Sequence, residues 1–319
     1  MNYLKFLFMK KYFWILFLFG IHCNMPTKII SKANISQQYI VVLGIAQDAG
    51  YPHPHCDKVC CASVAQGKAV KKRVTCLGLV DKATNQVFMI EATPDFTEQE
   101  RLLRTHLSDA AQPINGILLT HAHIGHYTGL MYLGREAIGA KEMPVFAMPK
   151  MKSFLENNAP WSQLVSLKNI KLMPLASDST IQLSKNIQIK PIIVPHRDEF
   201  SETVGYIIST HQKKVLFIPD IDKWSKWQRD IIKEVGMVDD ALLDATFYQN
   251  GEIPNRNMSE IPHPFMEETI RLFEKSVEKS KIKFIHFNHT NPCLRQTPAR
   301  QSVINQGFSI CEEGEIIQL

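Results

Sequence analysis

An α/β fold, with two sheets packed face to face and helices outside, is what the sequence predicts, on two observations. Short apolar runs alternate with amphipathic stretches in the first third and at the end, whereas the middle third is strand-rich with turn signals between the runs. Metal-ligating residue types stand where several of those runs stop. With 319 residues, 45% hydrophobic and 21% charged, the chain can bury this core as one domain, 39–319.

In order, the runs 40–45, 75–80 and 87–91 read as strands, the first followed by a turn-rich loop through Tyr51, Pro52, His53, Pro54, His55 and Cys56. Asp95 is placed to cap a helix over 95–107, with Phe96, Leu102, Leu103 and Leu107 as its apolar face. Strand 114–119 follows, then a helix over 129–138, a strand at 145–148 and a helix over 150–157. The runs 170–175, 181–183, 187–194, 204–209 and 215–218 predict antiparallel strands. Helices over 226–235 and 264–279 flank a strand at 241–247, and the chain closes with strand 283–287, a helix over 298–305 and two short strands.

Ahead of the domain, Lys5, Lys10 and Lys11 precede an apolar stretch, 12–21, too short to span a bilayer comfortably. Residues 1–24 read as an export leader or lipoprotein leader, with Cys23 as the lipid-anchor candidate, and 25–38 as a polar linker. The expected location is periplasmic or membrane-anchored. The net charge of +5 draws partly on those leader lysines, and no basic stripe interleaved with aromatics follows, which argues against nucleic acid as a partner.

The strand 114–119 ends in Thr120-His121-Ala122-His123-Ile124-Gly125-His126. Three imidazoles in six positions at a strand end can converge on one small volume, and neutral imidazole is the commonest protein metal ligand. His196, Asp220 and His286 each stand just past a later apolar run, and His289 follows His286 by three residues. Cys56, Cys60 and Cys61 cluster as metal-binding thiolates do, whereas Cys76, Cys293 and Cys311 lie in apolar contexts and read as small core residues.

That order of ligands resembles the metallo-β-lactamase superfamily, over roughly 39–319, and implies an αββα sandwich. Within it, Val42-Leu43-Gly44, Gly50-Tyr51-Pro52 with the cysteines that follow, Ala92-Thr93-Pro94-Asp95 and the segment from His286 to Pro292 resemble the pyrroloquinoline quinone biosynthesis protein B branch. The resemblance implies that His121, His123 and His196 hold one metal, that His126 and His286 hold a second, and that Asp220 bridges. Gly125 stands where the superfamily carries an aspartate of the second site, so that site is expected to lack one anionic ligand, leaving mononuclear and dinuclear centres both open. A structural zinc is implied for the cysteine loop, where Lys58 replaces the middle cysteine; Cys56, Cys60 and Cys61 would hold it with His289 or His55 as fourth ligand.

The expected chemistry is hydrolysis of a small-molecule ester, phosphodiester or amide. Zinc at one or two positions, with manganese or iron as alternatives, would lower the pKa of bound water toward about 7. Asp220 would orient the nucleophile, and His263, opening a helix behind Pro262, reads either as the acid that protonates the leaving group, as the resemblance implies, or as a helix-capping surface residue. Asp198, Glu199, Ser201 and Thr203 follow His196 closely and read as a solvated loop, or else as residues that orient the ligands. Two other readings stand beside hydrolysis: an iron(II)-dependent oxidative step in pyrroloquinoline quinone biosynthesis, and a metal-dependent binding or carrier protein without turnover.

Overall fold

A computed structural model describes Ser36–Leu319; the leader, Cys23 and the linker as far as residue 35 lie outside the described residues. Strands β1 (Gln38–Gly44), β2 (Cys76–Asp81), β3 (Gln86–Ile90), β4 (Gly116–Leu118), β5 (Met143–Ala147) and β6 (Ile170–Pro174) build one sheet. Strands β7 (Ile181–Gln182), β8 (Gln188–Ile193), β9 (Val204–Ser209), β10 (Lys214–Ile218), β11 (Asp240–Asp244), β12 (Ile282–Ile285) and β13 (Ser309–Ile310) build the other. The last strand, β14 (Ile316–Gln318), returns to the outer edge of β1, so the orders are β14-β1-β2-β3-β4-β5-β6 and β13-β12-β11-β10-β9-β8-β7. Each seven-stranded sheet is mixed, as expected. The strands β7 to β10 pair antiparallel, and β10 to β13 pair parallel.

Successive side chains of a strand face opposite ways, and β1 shows the consequence. Ile40 and Val42 enter the core between the sheets with Leu77, Leu79, Phe88, Tyr206, Ile208 and Phe217. Tyr39, Val41 and Leu43 enter a second core beneath the helices with Met89, Phe96, Leu103, Leu130 and Leu155. Burial on both faces explains why these strands read as continuous apolar runs. Cys76, Cys293 and Cys311 are fully buried, as expected of small core residues.

Eight α-helices are described: α1 (Val59–Ala65), α2 (Phe96–Arg104), α3 (Ile124–Tyr127), α4 (Pro149–Asn157), α5 (Trp161–Ser166), α6 (Ile231–Gly236), α7 (Met266–Phe273) and α8 (Pro298–Asn305). Three differ from the pattern-based expectation. The helix expected over 129–138 is a short 3-10 segment, Thr128–Leu133, because Gly129 packs directly against the Ala92–Thr93 backbone and Gly134 ends the run. The helix expected from 226 starts at Ile231, where the Asp230 carboxylate accepts from the Ile232 N–H at 2.9 Å. The stretch expected over 264–279 breaks after Phe273, and Ser276 caps a separate 3-10 turn, Val277–Lys281. Asp95 does not cap α2 with its side chain; its carboxylate accepts from the Val74 N–H at 2.9 Å, and Leu102 is exposed.

One polar contact joins the sheets far from the histidines. Asp81 at the end of β2 accepts from Gln38 at 2.9 Å, from Ser184 at 2.6 Å and from Asn186 at 3.1 Å, the last two in the turn between β7 and β8. Burial raises the Asp81 carboxyl, but the Ser184, Gln38 and Asn186 donors outweigh it and hold it below the ordinary carboxylate range. Asp81→Ala leaves these donors unpaired, and denaturant titration at neutral pH should show a loss of about 2–3 kcal/mol. Since the folded-state pKa is depressed, that difference is complete above the unfolded carboxylate pKa of about 3.9 and shrinks as pH falls below it.

Candidate metal centre

The ligands converge because strand ends from both sheets meet along one edge. Beyond β4 come His121, His123 and His126; beyond β8 comes His196; beyond β10, Asp220; beyond β12, His286. The parallel register of β10, β11 and β12, with Ile218 beside Leu243 and Asp244 beside Ile285, sets these last ends side by side. Across the sheets, the Val204 N–H donates to the Thr120 carbonyl at 3.2 Å, and the Tyr206 hydroxyl donates to the Leu119 carbonyl at 2.5 Å, fixing the start of the histidine loop.

Asp220 lies at the centre. Its Oδ2 is 2.9 Å from His126 Nε2, 3.2 Å from His286 Nε2 and 3.7 Å from His121 Nε2, and its Oδ1 is 3.7 Å from His196 Nε2. Ligands about 2.1 Å from a tetrahedral cation stand about 3.4 Å from one another, so these spacings fit shared coordination. The donor atoms of His121, His123 and His196 lie within 4.8 Å of one another, as do those of His121, His126 and Asp220. Eight of the twelve buried side-chain nitrogens and oxygens without a hydrogen-bond partner among the described residues belong to Asp48, His121, His123, His126, His196, Asp220 and His286. Buried polar atoms are normally paired, so so many orphans around one point fit a bound cation.

Hydrogen bonds on the far side of the rings set their tautomers. The Thr120 hydroxyl donates to Glu91 Oε1 at 2.5 Å, so it can only accept from His121 Nδ1–H, 2.8 Å away, and Nε2 keeps its lone pair for the centre. The Thr246 hydroxyl donates to Asp244 Oδ1 at 2.7 Å and accepts from His286 Nδ1–H at 3.0 Å. The same Asp244 holds His263 Nδ1 at 2.8 Å through its other oxygen. Glu91 and His286 themselves adopt left-handed backbone, φ 81° and 68°, uncommon for residues with a Cβ and typical of constrained sites.

The charges are arranged for a cation. Burial and the neighbouring His126 push His121 well below the usual imidazole range; burial lowers His123 and takes His196 to about 4. Neutral imidazoles are the form that binds metal. For His126, burial disfavours the charged form, but Glu91 at 3.2 Å, with Asp220 and Asp48, outweighs it and the pKa rises well above normal. Burial likewise opposes ionisation of Asp220, yet His286 and His126 hold it well below the ordinary carboxylate range.

Every active-site ligand expected from the sequence is thus in one cluster, and His263 reaches it, its Nδ1 3.5 Å from Asp220 Oδ1. The structure adds residues around these ligands. Beside Gly125, Asp48, from the loop after β1, puts Oδ1 3.1 Å from His126 Nε2 and groups with His126 and His286. Ser201 and Thr203, read as solvated loop, are buried, and Ser201 Oγ accepts from the Ala122 N–H at 2.8 Å, holding the histidine loop. Glu91, Thr120, Asp244 and Thr246 carry a weaker sequence signal: Glu91 closes an apolar run, and Asp244 and Thr246 lie near the end of another.

The second cluster forms as expected with His289, not His55, as its fourth member: Cys56, Cys60, Cys61 and His289 offer donor atoms within 4.8 Å of one another. Cys60 and Cys61 lie in the first turn of α1, and Cys56 Sγ is 3.7 Å from Cys60 Sγ. Asn288 fixes the His289 ring through Nδ1 at 3.0 Å, and burial with the nearby His53 holds that imidazole at about 4. Burial raises the Cys61 thiol to about 12, so an ion bound there must displace its proton.

The fold and this centre define a class, and the sequence comparison agrees: the chain belongs to the β-lactamase superfamily, the Beta-lactamase superfamily domain matching residues 86–287. Within it the chain is similar to coenzyme PQQ synthesis protein B, 23% identical to that of Methylorubrum populi over 88% of this chain and 100% of the relative. The Xanthomonas oryzae pv. oryzae protein is 25% identical over 88% and 99%. Zinc-bound PqqB from Methylobacterium extorquens has a similar structure, with TM-score 0.73, 20% identity and coverage of 88% of this chain and 100% of that one. A diphosphatase from the PhnP family follows at TM-score 0.60, 21% identity, 88% and 98%.

Two outcomes test the arrangement. Thr246→Val keeps the side-chain volume but unties His286 from Asp244, and zinc affinity of the histidine centre should fall about 10–100-fold in a chelator competition. Cys61→Ser should lower bound zinc by about one ion per chain and lower the melting temperature, while the histidine centre keeps its metal.

Proposed function

We propose that the chain is a metal-dependent hydrolase of a small-molecule ester, phosphodiester or amide. The observation that carries this is His263: its ring, held through Nδ1 by Asp244 at 2.8 Å, stands against the ligand cluster, 3.5 Å from Asp220 Oδ1 and with its centroid 5.2 Å from that of His196. Burial opposes the charged form of His263, but Asp244 outweighs it and raises the pKa, which favours the protonated ring that a general acid needs. His121, His123, His196, His126, His286 and Asp220 would hold the metal, which supplies Lewis acidity and an acidified water. Asp220 would orient that water, since its Oδ2 faces His121 and His286 and its Oδ1 faces His196. Beside the cluster, a cleft of about 460 Å³ is lined by Lys150, Phe154, Glu199 and Phe200, and Glu199 Oε2 is 3.6 Å from His123 Nε2. Exposed Phe200 beside Phe154, ring centroids 5.6 Å apart, offers a wall for a flat or apolar substrate group.

One observation favours a second reading: relatives named for coenzyme PQQ synthesis align over essentially their whole length. A nitrogen-rich centre with one central carboxylate also suits iron(II) and oxygen chemistry. The two readings separate on metal and leaving group. Zinc- or manganese-loaded protein should hydrolyse members of a panel of phosphodiesters, esters and lactams, and His263→Gln should lower kcat about 10²–10⁴-fold for alkoxide leaving groups but little for nitrophenolate, which leaves unprotonated. Dioxygen uptake with iron(II) alone, and no hydrolysis with zinc or manganese, overturns the hydrolytic reading.

A further inference from the structure

We propose that Asp48, carried by the loop after β1, is the carboxylate ligand of the second metal position and takes the place of the side chain absent at Gly125. The inference rests on the reading of the histidine cluster as a metal centre. Asp48 Oδ1 lies 3.1 Å from His126 Nε2, and the donor atoms of Asp48, His126 and His286 all fall within 4.8 Å of one another. Oδ1 is buried and without a hydrogen-bond partner, as are His126 Nε2, His286 Nε2 and Asp220 Oδ2 facing the same volume. Surface aspartates present both oxygens to water, whereas this one turns one oxygen inward to a set of buried polar atoms without partners.

Gly125 explains why the replacement works. A Cβ at position 125 would lie 2.3 Å from Asp48 Oδ1, 2.4 Å from Asp48 Cα and 3.1 Å from Asp48 Cβ. The loop therefore occupies the space that an aspartate at 125 would need, and the two arrangements exclude one another. The histidine motif is not degenerate in its chemistry; the same charge enters from a different segment.

The loop is held firmly enough to act as a ligand arm. Gln47 N–H donates to the Phe287 carbonyl at 2.8 Å, so the residue before Asp48 is tied to the residue after His286. Gly50, at φ +75°, closes a turn through its N–H to the Gln47 carbonyl at 2.8 Å, and Tyr51 N–H donates to the Lys72 carbonyl at 3.1 Å. Asp48 and His286 thus share an anchor, which keeps their donor atoms in register. Tyr51 also donates its hydroxyl to the Cys60 carbonyl at 2.6 Å, linking the loop to the cysteine cluster.

Zinc per chain, measured by inductively coupled plasma mass spectrometry on the full chain after dialysis, tests this directly. The cysteine cluster contributes equally to each protein and cancels in the difference. Asp48→Asn, isosteric but uncharged, should hold about one zinc fewer than the unaltered chain. Gly125→Ala should show the same loss although it removes no ligand atom, because its methyl displaces the Asp48 loop. An Asp48→Asn protein with the unaltered zinc count overturns the proposal and leaves Asp48 as a partner of protonated His126 alone; so does an unaltered chain holding a single ion besides that of the cysteine cluster. Should Gly125→Ala fail to fold, the Asp48→Asn count decides. No substrate enters this measurement, so zinc loss without any hydrolysis upholds the ligand and sinks the hydrolytic reading, whereas hydrolysis with an unchanged count does the reverse.

Discussion

The buried carboxylate of Asp220, ringed by imidazoles, is the constraint on which the remaining structure depends. In a low-dielectric interior such a group is tolerated only with compensating charge, and unpartnered donor nitrogens around it are unfavourable unless something positive sits among them. Glu91, Asp220 and Asp48 around His126 raise its pKa and favour a positive charge there. A divalent cation would supply it more completely and satisfy the orphaned atoms together. The sandwich delivers the ends of β4, β8, β10 and β12 to one edge, and that convergence would be destabilising were it not a binding site.

Behind the ligands, one construction is used twice. A buried carboxylate takes a threonine hydroxyl proton, and the threonine oxygen takes the Nδ1 proton of a ligand histidine: Glu91, Thr120 and His121 in one sheet, Asp244, Thr246 and His286 in the other. Each relay fixes a tautomer, and each includes a residue in left-handed backbone, where the chain leaving a strand must reverse to aim its side chain inward. Asp244 does more than its counterpart, because it also holds His263. The orientation of one ligand and the protonation of the candidate acid therefore depend on the same carboxylate.

The segment between β1 and α1 links the two centres. It carries Asp48 beside the histidine cluster, crosses Tyr51, and ends at the cysteines, with Phe287 and His289 as its contacts beyond β12. A zinc in the cysteine cluster would stiffen the loop that presents Asp48. The two clusters are thus parts of one assembly, with His286 and His289, three residues apart, in one each.

Most of this centre was legible in the sequence, since His121, His123, His126, His196, Asp220 and His286 each follow an apolar run, and a strand end is where a polar side chain can face a shared edge. The two-sheet architecture followed from the same runs. Helix limits were less legible at Ser276 and Asp230, where local capping by hydroxyl and carboxylate overrode amphipathic pattern. Asp48 was hidden because its meaning depends on an absent side chain at Gly125, and the threonine relays because a hydroxyl's role is invisible until its neighbours are placed. Sequence by itself determined the donor chemistry, the strand ends that carry it and the class of fold. Tertiary structure alone decided which donors share a position, because periodicity sets the face a side chain takes, whereas coordination depends on ångström-scale separations between segments that only sheet packing brings together.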